Sequence, residues 1–350
     1  MNSILYLLIG TYTFGLSEGI YIYKFNTDTG VSAYVNTVEV EHPSYMDITT
    51  DGKFVYSVTE NDEIHSLANA FSFDKEQGKL TLLNSEKTHS AAPCNILIDS
   101  DRKHIVTANY GGGSITVFPV DSEGKLSAVS QMILFEGSGK DTVRQEMPHL
   151  HCVKFTPDGN YLLAADLGTD QIHRLTLNPS DSALFLNESS LKSFKVADGS
   201  GPRHFVFHPN NKYMYLINEI GGTVTGFNYK DGELEEFQTI QADTLHAKGS
   251  GDIGITPNGK FLYASNRLQG DGIAIFSINE ADGKLTKTGY QPTGIHPRNF
   301  VITPNGKFLL SASRDNSTVE VFEIDENTGF LKNIDKNIEV DTPVCLKFIN

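Results

Sequence analysis

A turn phrase that recurs along the chain limits the possible folds more than any other feature of this sequence. An Asp or Asn, followed in most copies by Gly and in most copies by a Lys two residues on, returns at steps of 50, 57, 52, 48 and 47 residues. Asp-Gly and Asn-Gly tolerate the positive φ angles that tight hairpins need. A period near 50 predicts a chain made of repeated supersecondary units. The copies lie at 50–53, 100–103 (degraded), 157–160, 209–212, 257–260 and 304–307.

Short runs rich in β-branched and aromatic residues flank each turn, and two more such runs follow before the next turn. Runs of this kind, bounded by turn residues, are typical of antiparallel strands. Four strands in every 50 residues predict an all-β, seven-bladed β-propeller with four-stranded antiparallel blades. Residues 1–350 would form this one domain. The third run occurs seven times, at 19–25, 70–73, 114–120, 171–177, 223–229, 272–278 and 318–324.

The two ends of the chain predict how the ring closes. The first run, 5–10, has the character of a second strand, whereas the last run, 344–349, has that of a first strand. We therefore expect the C-terminal strand to join the N-terminal blade, which removes an exposed edge. An open β-solenoid or a pair of sandwiches is the alternative. The apolar run 4–9 follows no basic residue, so we interpret it as a buried strand rather than a signal peptide.

The charge of the chain argues against several classes of partner. There are 28 Lys and Arg against 43 Asp and Glu, a net charge of −15, which suits neither DNA nor RNA. No apolar run approaches the length of a membrane-spanning helix. The three cysteines have no metal-ligand spacing and predict a reducing cytoplasm.

In an antiparallel meander, the start of each first strand lies beside the end of each second strand, so all seven junctions should face one mouth of the ring. Four of the seven arginines fall at these junctions, as do three histidines and Glu219. A cationic focus on an acidic protein predicts an anionic small-molecule ligand, because arginine binds carboxylate or phosphate bidentately. The residues are Arg203, Arg267, Arg298, Arg314, His149, His151, His204 and Glu219.

Some of the polar residues near these junctions also have a purely structural interpretation. Arg314 precedes Asp315 and would form a surface pair with it, and His204 would be a core histidine. Asp166 and Asn109 lie near glycines and would cap turns. His42 and His296 precede prolines, which favours loop positions.

Other kinds of site are poorly supported. The triple glycine at 111–113 precedes a strand rather than the helix that a phosphate-binding loop requires. His149 and His151 share a strand face, but no third metal ligand has suitable spacing. The chain has no Gly-x-Ser-x-Gly, and the sequence identifies no base beside a cysteine. We therefore expect neither a metal nor an organic cofactor.

A set of motifs follows in a fixed order along the chain: Asn-Tyr-Gly-Gly-Gly-Ser at 109–114, Pro-His-Leu-His at 148–151, Ala-Asp-Leu-Gly-Thr-Asp at 165–170, Gly-Pro-Arg-His at 201–204, Phe-His-Pro at 207–209, Asn-Glu at 218–219, Ser-Asn-Arg at 265–267 and Pro-Arg-Asn-Phe at 297–300. Taken together, these motifs closely resemble the propeller-type 6-phosphogluconolactonases of bacteria over essentially the whole chain. That family is similar in fold to the fungal carboxymuconate lactonizing enzymes.

The resemblance implies a sugar lactonase of glucose metabolism, which converts 6-phospho-D-glucono-1,5-lactone to 6-phosphogluconate in the pentose phosphate pathway. The implied catalytic residues are His151, Arg203, Glu219 and Arg267. Either Glu219 or His151 would be the general base. The expected substrate-binding residues are His149, Asp166, His204, Asn266, Arg298 and Asn109. We expect a cytoplasmic monomer.

Two departures from the family pattern and two alternative functions stay open. Asp252 stands where neighbouring repeats carry Arg, and the segment 135–147 is long and charged. The same basic cluster would also suit a cycloisomerase that closes a muconate-like diacid. A non-catalytic scaffold is the other alternative, although protein-binding faces favour aromatic residues over this Arg and His content. The sequence leaves open whether the substrate is phosphorylated.

Overall fold

A computed structural model describes residues 3–181 and 183–349, and over these residues the chain forms 29 strands and one 3₁₀ helix, Arg314–Asn316. The strands make seven antiparallel sheets, each with four strands in the order first, second, third, fourth. The prediction of an all-β chain with seven four-stranded blades is confirmed. We number the blades from the N-terminus.

In hydrogen-bonding order, the strands of each blade are as follows. Blade 1 comprises Pro343–Ile349, Ile4–Thr11, Gly19–Asn26 and Ser32–Glu39; blade 2, Met46–Ile48, Phe54–Thr59, Leu67–Asp74 and Lys79–Lys87; blade 3, Pro93–Ile98, His104–Asn109, Ser114–Pro119 and Gln131–Leu134; blade 4, Leu150–Phe155, Tyr161–Asp166, Gln171–Leu177 and Leu186–Lys195; blade 5, Pro202–Phe207, Tyr213–Asn218, Thr223–Lys230 and Glu233–Gln241; blade 6, Ser250–Ile255, Phe261–Asn266, Gly272–Ile278 and Leu285–Pro292; blade 7, Pro297–Ile302, Phe308–Ser313, Thr318–Ile324 and a fourth strand split into Leu331–Asn333 and Ile338–Glu339.

The C-terminal strand completes blade 1, as the sequence predicted. Pro343–Ile349 is its first strand and lies beside Ile4–Thr11. The apolar N-terminal run is therefore a strand inside a sheet. No described helix is long and apolar enough to cross a membrane.

The chain divides into two compact units. Unit 1 comprises residues up to 17, 21–35 and 203–348, and unit 2 comprises 18–20, 36–202 and 349 onward. Unit 1 contains blades 5, 6 and 7 and most of blade 1, and unit 2 contains blades 2, 3 and 4. That residues 1–350 make one domain stays a prediction, and its ends, 1–2 and 350, lie outside the described residues.

Within each unit, neighbouring blades bury their apolar faces against one another. Tyr215 and Ile217 of blade 5 pack in one cluster with Leu262 of blade 6, and Val106 of blade 3 packs in another with Leu162 of blade 4. Second strands such as Phe261–Asn266 are buried on both faces, whereas the fourth strand Glu233–Gln241 has no fully buried residue. The second strands therefore read as nearly continuous apolar runs rather than as alternating patterns.

The recurring turn phrase has a specific hydrogen-bonding role. In blade 6, the Thr256 hydroxyl donates to Asn258 Oδ1 (2.7 Å) and accepts from the Phe261 amide (3.1 Å). Gly259 follows at φ +74°, a conformation that costs glycine little. The turn thus holds the first two strands of the blade in register.

A side chain near the start of each of several first strands hydrogen-bonds the next blade. In unit 1, Asp252 accepts from the Phe300 amide (3.3 Å) and Asn299 from the Leu346 amide (2.7 Å). In unit 2, Asn95 accepts from the Val153 amide (3.1 Å). These contacts fix how first strands of adjacent blades line up, which positions the residues described next.

Candidate active site

Bulges near the starts of first strands orient several of the predicted site residues. In blades 3, 4 and 7, pairing with the second strand skips one residue: Cys94, His151 and Arg298, respectively. A bulge bends the strand and redirects the extra side chain, and bulges are common beside active sites. Arg203 is the second residue of its strand, as Arg298 is in blade 7. One position of the repeat thus carries several of the predicted residues.

In unit 1, three of the four predicted catalytic residues meet. Glu219 Oε2 lies 2.8 Å from Arg203 Nε and 3.1 Å from Arg267 Nη2. All three side chains are buried, and Arg203 is only 1% exposed. One carboxylate between two guanidinium groups leaves a net charge of +1 on the cluster. A buried excess positive charge attracts an anion or a developing oxyanion.

Backbone carbonyls fix the planes of both guanidinium groups. Arg203 Nη1 donates to the Gly251 carbonyl at 2.5 Å. Arg267 donates from Nε to the Gly249 carbonyl at 2.7 Å and from Nη2 to the Ser250 carbonyl at 3.3 Å. These acceptors lie at or just before the start of blade 6, so that strand holds the cluster in place.

His296, which the sequence favoured as a loop residue, contacts this cluster. It stands at φ +62° directly before Pro297, and its Nε2 lies 3.3 Å from Arg267 Nη1. Burial and the charges of Arg267, Arg314 and Arg298 lower the pKa of His296 to about 3, against a smaller opposing effect of Asp315. The ring is therefore neutral at pH 7 and accepts a hydrogen bond from Arg267. The buried position could not be found from the His-Pro pair alone.

The two remaining junction arginines differ in their surroundings. Arg298 is half-buried, with its guanidinium 5.5 Å from the centre of the Tyr12 ring, a cation–π contact. Arg314 forms a two-point pair with Asp315 at 2.6 and 3.2 Å. The surface-pair interpretation of Arg314 is thus confirmed.

His204 takes part in a network of buried polar groups. Its Nδ1 lies 2.8 Å from Asp252 Oδ1, and Asp252 Oδ2 accepts from Asn299 Nδ2 at 2.5 Å. Burial by itself raises the pKa of Asp252, but the hydrogen bond from His204 and the charge of Arg203 hold it below its ordinary value. The expectation that Asp252 replaces Arg is wrong: Gly251 holds the strand position of Arg203 and Arg298, and Asp252 holds that of His204 and Asn299. Asp252 is the ionised partner of His204.

In unit 2, two predicted histidines are held by one tyrosine. The Tyr110 ring stacks on His149 at 4.3 Å and meets His151 edge-to-face at 5.4 Å. His149 Nδ1 lies 2.8 Å from the Tyr110 carbonyl, and its Nε2 lies 3.4 Å from Glu146 Oε1. Since a carbonyl only accepts, His149 carries a proton on Nδ1.

The expectation that no base lies beside a cysteine is wrong for Cys94. Its Sγ lies 3.6 Å from His151 Nδ1, and both side chains are buried. The two residues are 57 positions apart, so the pair depends on the packing of blade 3 against blade 4 and has no local signal.

Three predicted substrate-binding residues are fully engaged by their own blades. Asp166 accepts from the His149 amide (2.7 Å) and from Thr169 (2.6 Å). Asn109 donates to Thr116 Oγ1 at 2.9 Å, and Asn266 accepts from Ser250 at 2.7 Å. All are at most 1% exposed, which supports the turn-capping interpretation of Asp166 and Asn109. Over residues 3–181 and 183–349, no group of three or more His, Cys, Asp or Glu side chains is placed to hold a metal ion.

Known proteins share both the sequence pattern and the fold. A crystal structure of a candidate 6-phosphogluconolactonase from Bacteroides fragilis is 56% identical, with a TM-score of 0.97 over 100% of this chain and 99% of that one. The 6-phosphogluconolactonase of Bacillus subtilis is 35% identical over 350 residues, which covers 98% of this chain and 97% of the relative. The periplasmic gluconolactonase of Pseudomonas aeruginosa is 29% identical, with a TM-score of 0.93 over 99% of both chains.

A family model described as "Lactonase, 7-bladed beta-propeller" matches residues 6–348, nearly the entire chain. The blade count, the strand order and the ordered motifs agree with that description. This chain belongs to the lactonase family of seven-bladed β-propellers.

Proposed function

We propose that this chain hydrolyses 6-phospho-D-glucono-1,5-lactone to 6-phosphogluconate, the lactone-opening step of the pentose phosphate pathway. The observation that carries the proposal is the buried cluster of Arg203, Glu219 and Arg267, with its excess positive charge. Relatives named 6-phosphogluconolactonase support the substrate.

Lactone hydrolysis involves three bond changes that the protein must assist. Water attacks the lactone carbonyl carbon, the bond from that carbon to the ring oxygen breaks, and the leaving oxygen takes up a proton. The carbonyl oxygen carries negative charge in between. Arg203 is our candidate for stabilising that oxyanion, because its guanidinium is held rigidly by Glu219 and the Gly251 carbonyl. One such donor is worth about 3–4 kcal/mol in comparable sites.

We assign the general base to His151 and an orienting role to Glu219. One oxygen of Glu219 is already committed to both guanidinium groups, which suits a residue that positions cations. Histidine is the residue most often used for proton transfer in catalysis. Replacement of each residue by Gln separates the roles. The Gln variant of the general base should lose kcat at every pH. The Gln variant of the residue that orients the arginines should also lose substrate affinity.

Arg298 is our candidate for binding the phosphate. It is half-buried near the start of a first strand, and its guanidinium lies over the Tyr12 ring. We propose that His149 and His204 line the substrate site. For Asp166, Asn109 and Asn266 we propose that they act by shaping the strand ends rather than by touching substrate, because their side chains hydrogen-bond groups of their own blades.

A second candidate substrate is unphosphorylated gluconolactone. The Pseudomonas relative named a gluconolactonase supports it. The two substrates differ by the phosphate that Arg298 would bind, so one variant discriminates between them.

The test is hydrolysis of freshly made 6-phosphogluconolactone and of gluconolactone, each corrected for spontaneous opening, with and without a chelator. We expect chelator-insensitive turnover that prefers the phosphorylated lactone. We expect Arg298→Ala to raise KM for that lactone only. An equal effect of Arg298→Ala on both lactones would remove the phosphate-binding role. Turnover of neither lactone would refute the proposed function and favour a muconate cycloisomerase or a scaffold.

We also propose a cytoplasmic monomer. None of the three cysteines forms a disulfide and all are buried, in keeping with a reducing compartment. Cell fractionation and light scattering test these two points, and a periplasmic protein or a stable dimer would contradict them.

A further inference from the structure

The sulfur of Cys94 occupies a position from which it can set the protonation of His151. Cys94 is the bulge residue of blade 3, and His151 is the bulge residue of blade 4. Sγ lies 3.6 Å from His151 Nδ1, 3.5 Å from the His151 carbonyl and 3.7 Å from the Leu150 carbonyl. The thiol therefore faces two acceptors that never donate and one ring nitrogen that can do either.

The donors and acceptors around the Cys94 sulfur favour one placement of the thiol and imidazole protons. A thiol has one hydrogen, and the nearest of the three acceptors described around Sγ is the His151 carbonyl, at 3.5 Å. If S–H points to a carbonyl, the sulfur is left as an acceptor toward the ring. Nδ1 must then carry the imidazole proton, and Nε2 keeps its lone pair. That lone pair is what a general base needs.

We infer that Cys94 is a positioning residue for His151, which selects the Nδ1-protonated tautomer and leaves Nε2 as the basic atom. The inference deepens the proposed function and rests on His151 acting as base there. The Tyr110 ring also packs against the His151 ring in a T-shaped contact, so Tyr110 helps to hold the plane of the ring while Cys94 selects its tautomer.

The experiment is ¹⁵N NMR of the full-length chain with labelled histidine. The chain has 11 histidines, so the His151 signals are assigned from the spectrum that His151→Gln lacks. In the wild type we expect a protonated Nδ1 and an unprotonated Nε2. In Cys94→Ala we expect a mixture of tautomers. Cys94→Ser keeps a donor and an acceptor, so it should restore most of the wild-type tautomer.

A kinetic experiment complements the NMR measurement and uses a second buried cysteine as its control. Loss of one hydrogen bond to the base predicts that kcat falls about 5- to 15-fold in Cys94→Ala, with KM changed less than about twofold. Cys345→Ala is the control, because Cys345 is also buried, also forms no disulfide and lies in the first strand of blade 1. We expect it to change neither kcat nor the His151 spectrum.

The outcomes separate this inference from the proposed function. An unchanged His151 tautomer in Cys94→Ala overturns the inference, whatever the enzyme activity. An unchanged kcat beside a mixed tautomer also overturns it, since the tautomer would then not matter for catalysis. Absence of lactonase activity in the wild type instead refutes the proposed function, while the NMR result still decides whether Cys94 controls the ring.

Discussion

Replacement of Glu219 by Gln removes the single negative charge between two buried arginines and leaves the side-chain volume almost unchanged. Glu219 Oε2 lies 2.8 Å from Arg203 and 3.1 Å from Arg267. With an effective dielectric constant near 20, unit charges about 4 Å apart interact by about 4 kcal/mol. Removing one partner of a buried pair costs about 3–5 kcal/mol in measured cases. We expect a loss of that size in the free energy of unfolding.

The expected change in melting temperature follows from chain length. Unfolding entropy is about 2.1 cal/mol/K per residue, or about 0.7 kcal/mol/K for a chain of 350 residues. A loss of about 3–5 kcal/mol therefore lowers Tm by about 4–7 °C. The control is Glu123→Gln, whose carboxylate is 75% exposed and lies 3.5 Å from Lys125. Such a surface pair contributes little, so Tm should not shift measurably.

A second measurement on the same variant tests the charge argument itself. The cluster carries a net charge of +1 in the wild type and +2 in Glu219→Gln. Inorganic phosphate should therefore raise the Tm of the variant more than that of the wild type, because it binds the folded state more tightly. A Glu219→Gln protein that melts within 1 °C of the wild type and responds equally to phosphate would refute the reasoning.

Three further predictions concern single side chains of unit 1. His296 has a folded pKa of about 3 and an unfolded value near 6.5, so its contribution to stability is complete above about pH 6.5 and falls toward pH 3 by at most about 1.4 kcal/mol per pH unit. Urea unfolding between pH 7 and 4.5 should therefore show a shallower decline in the free energy of unfolding for His296→Gln than for the wild type, and parallel curves would contradict this. The Tyr263 hydroxyl donates to the Gly329 carbonyl at 2.8 Å in a buried site, so Tyr263→Phe should cost about 1–2 kcal/mol by urea unfolding, and an unchanged midpoint would show that the bond adds nothing. Leu268 is 55% exposed at φ +81°, so Leu268→Gly should raise stability by about 1 kcal/mol, and a lower Tm would mean that its side chain makes contacts worth more than the strain.

The fold could be predicted from the sequence because its signals are local and repeated. The turn phrases, the seven third strands and the unequal ends of the chain each predicted a part that the structure confirms. The third strands of blades 4, 6 and 7, at 171–177, 272–278 and 318–324, lie where they were predicted. The split fourth strand of blade 7 was not foreseen, because edge strands carry little periodic burial.

The candidate site could be predicted only in part. Placing strand starts beside strand ends selected Arg203, Glu219 and Arg267, which the structure joins. The same argument could not tell Arg298, which lies over an aromatic ring, from Arg314, which pairs with the next residue. It also missed His296 and Cys94. Their roles depend on left-handed backbone and on packing between blades, and neither leaves a pattern in the nearby sequence.

The central claim is that the buried arginine–glutamate cluster opens a lactone, and one rate comparison tests it most directly. The comparison is kcat/KM for freshly made 6-phosphogluconolactone, above the spontaneous rate, in the wild type and in Arg203→Lys. Lys keeps the charge but cannot reproduce the fork that contacts both Glu219 and the Gly251 carbonyl. We predict a loss of about 100-fold or more, with the melting transition still cooperative. A variant that keeps more than about a tenth of the wild-type value would contradict the claim.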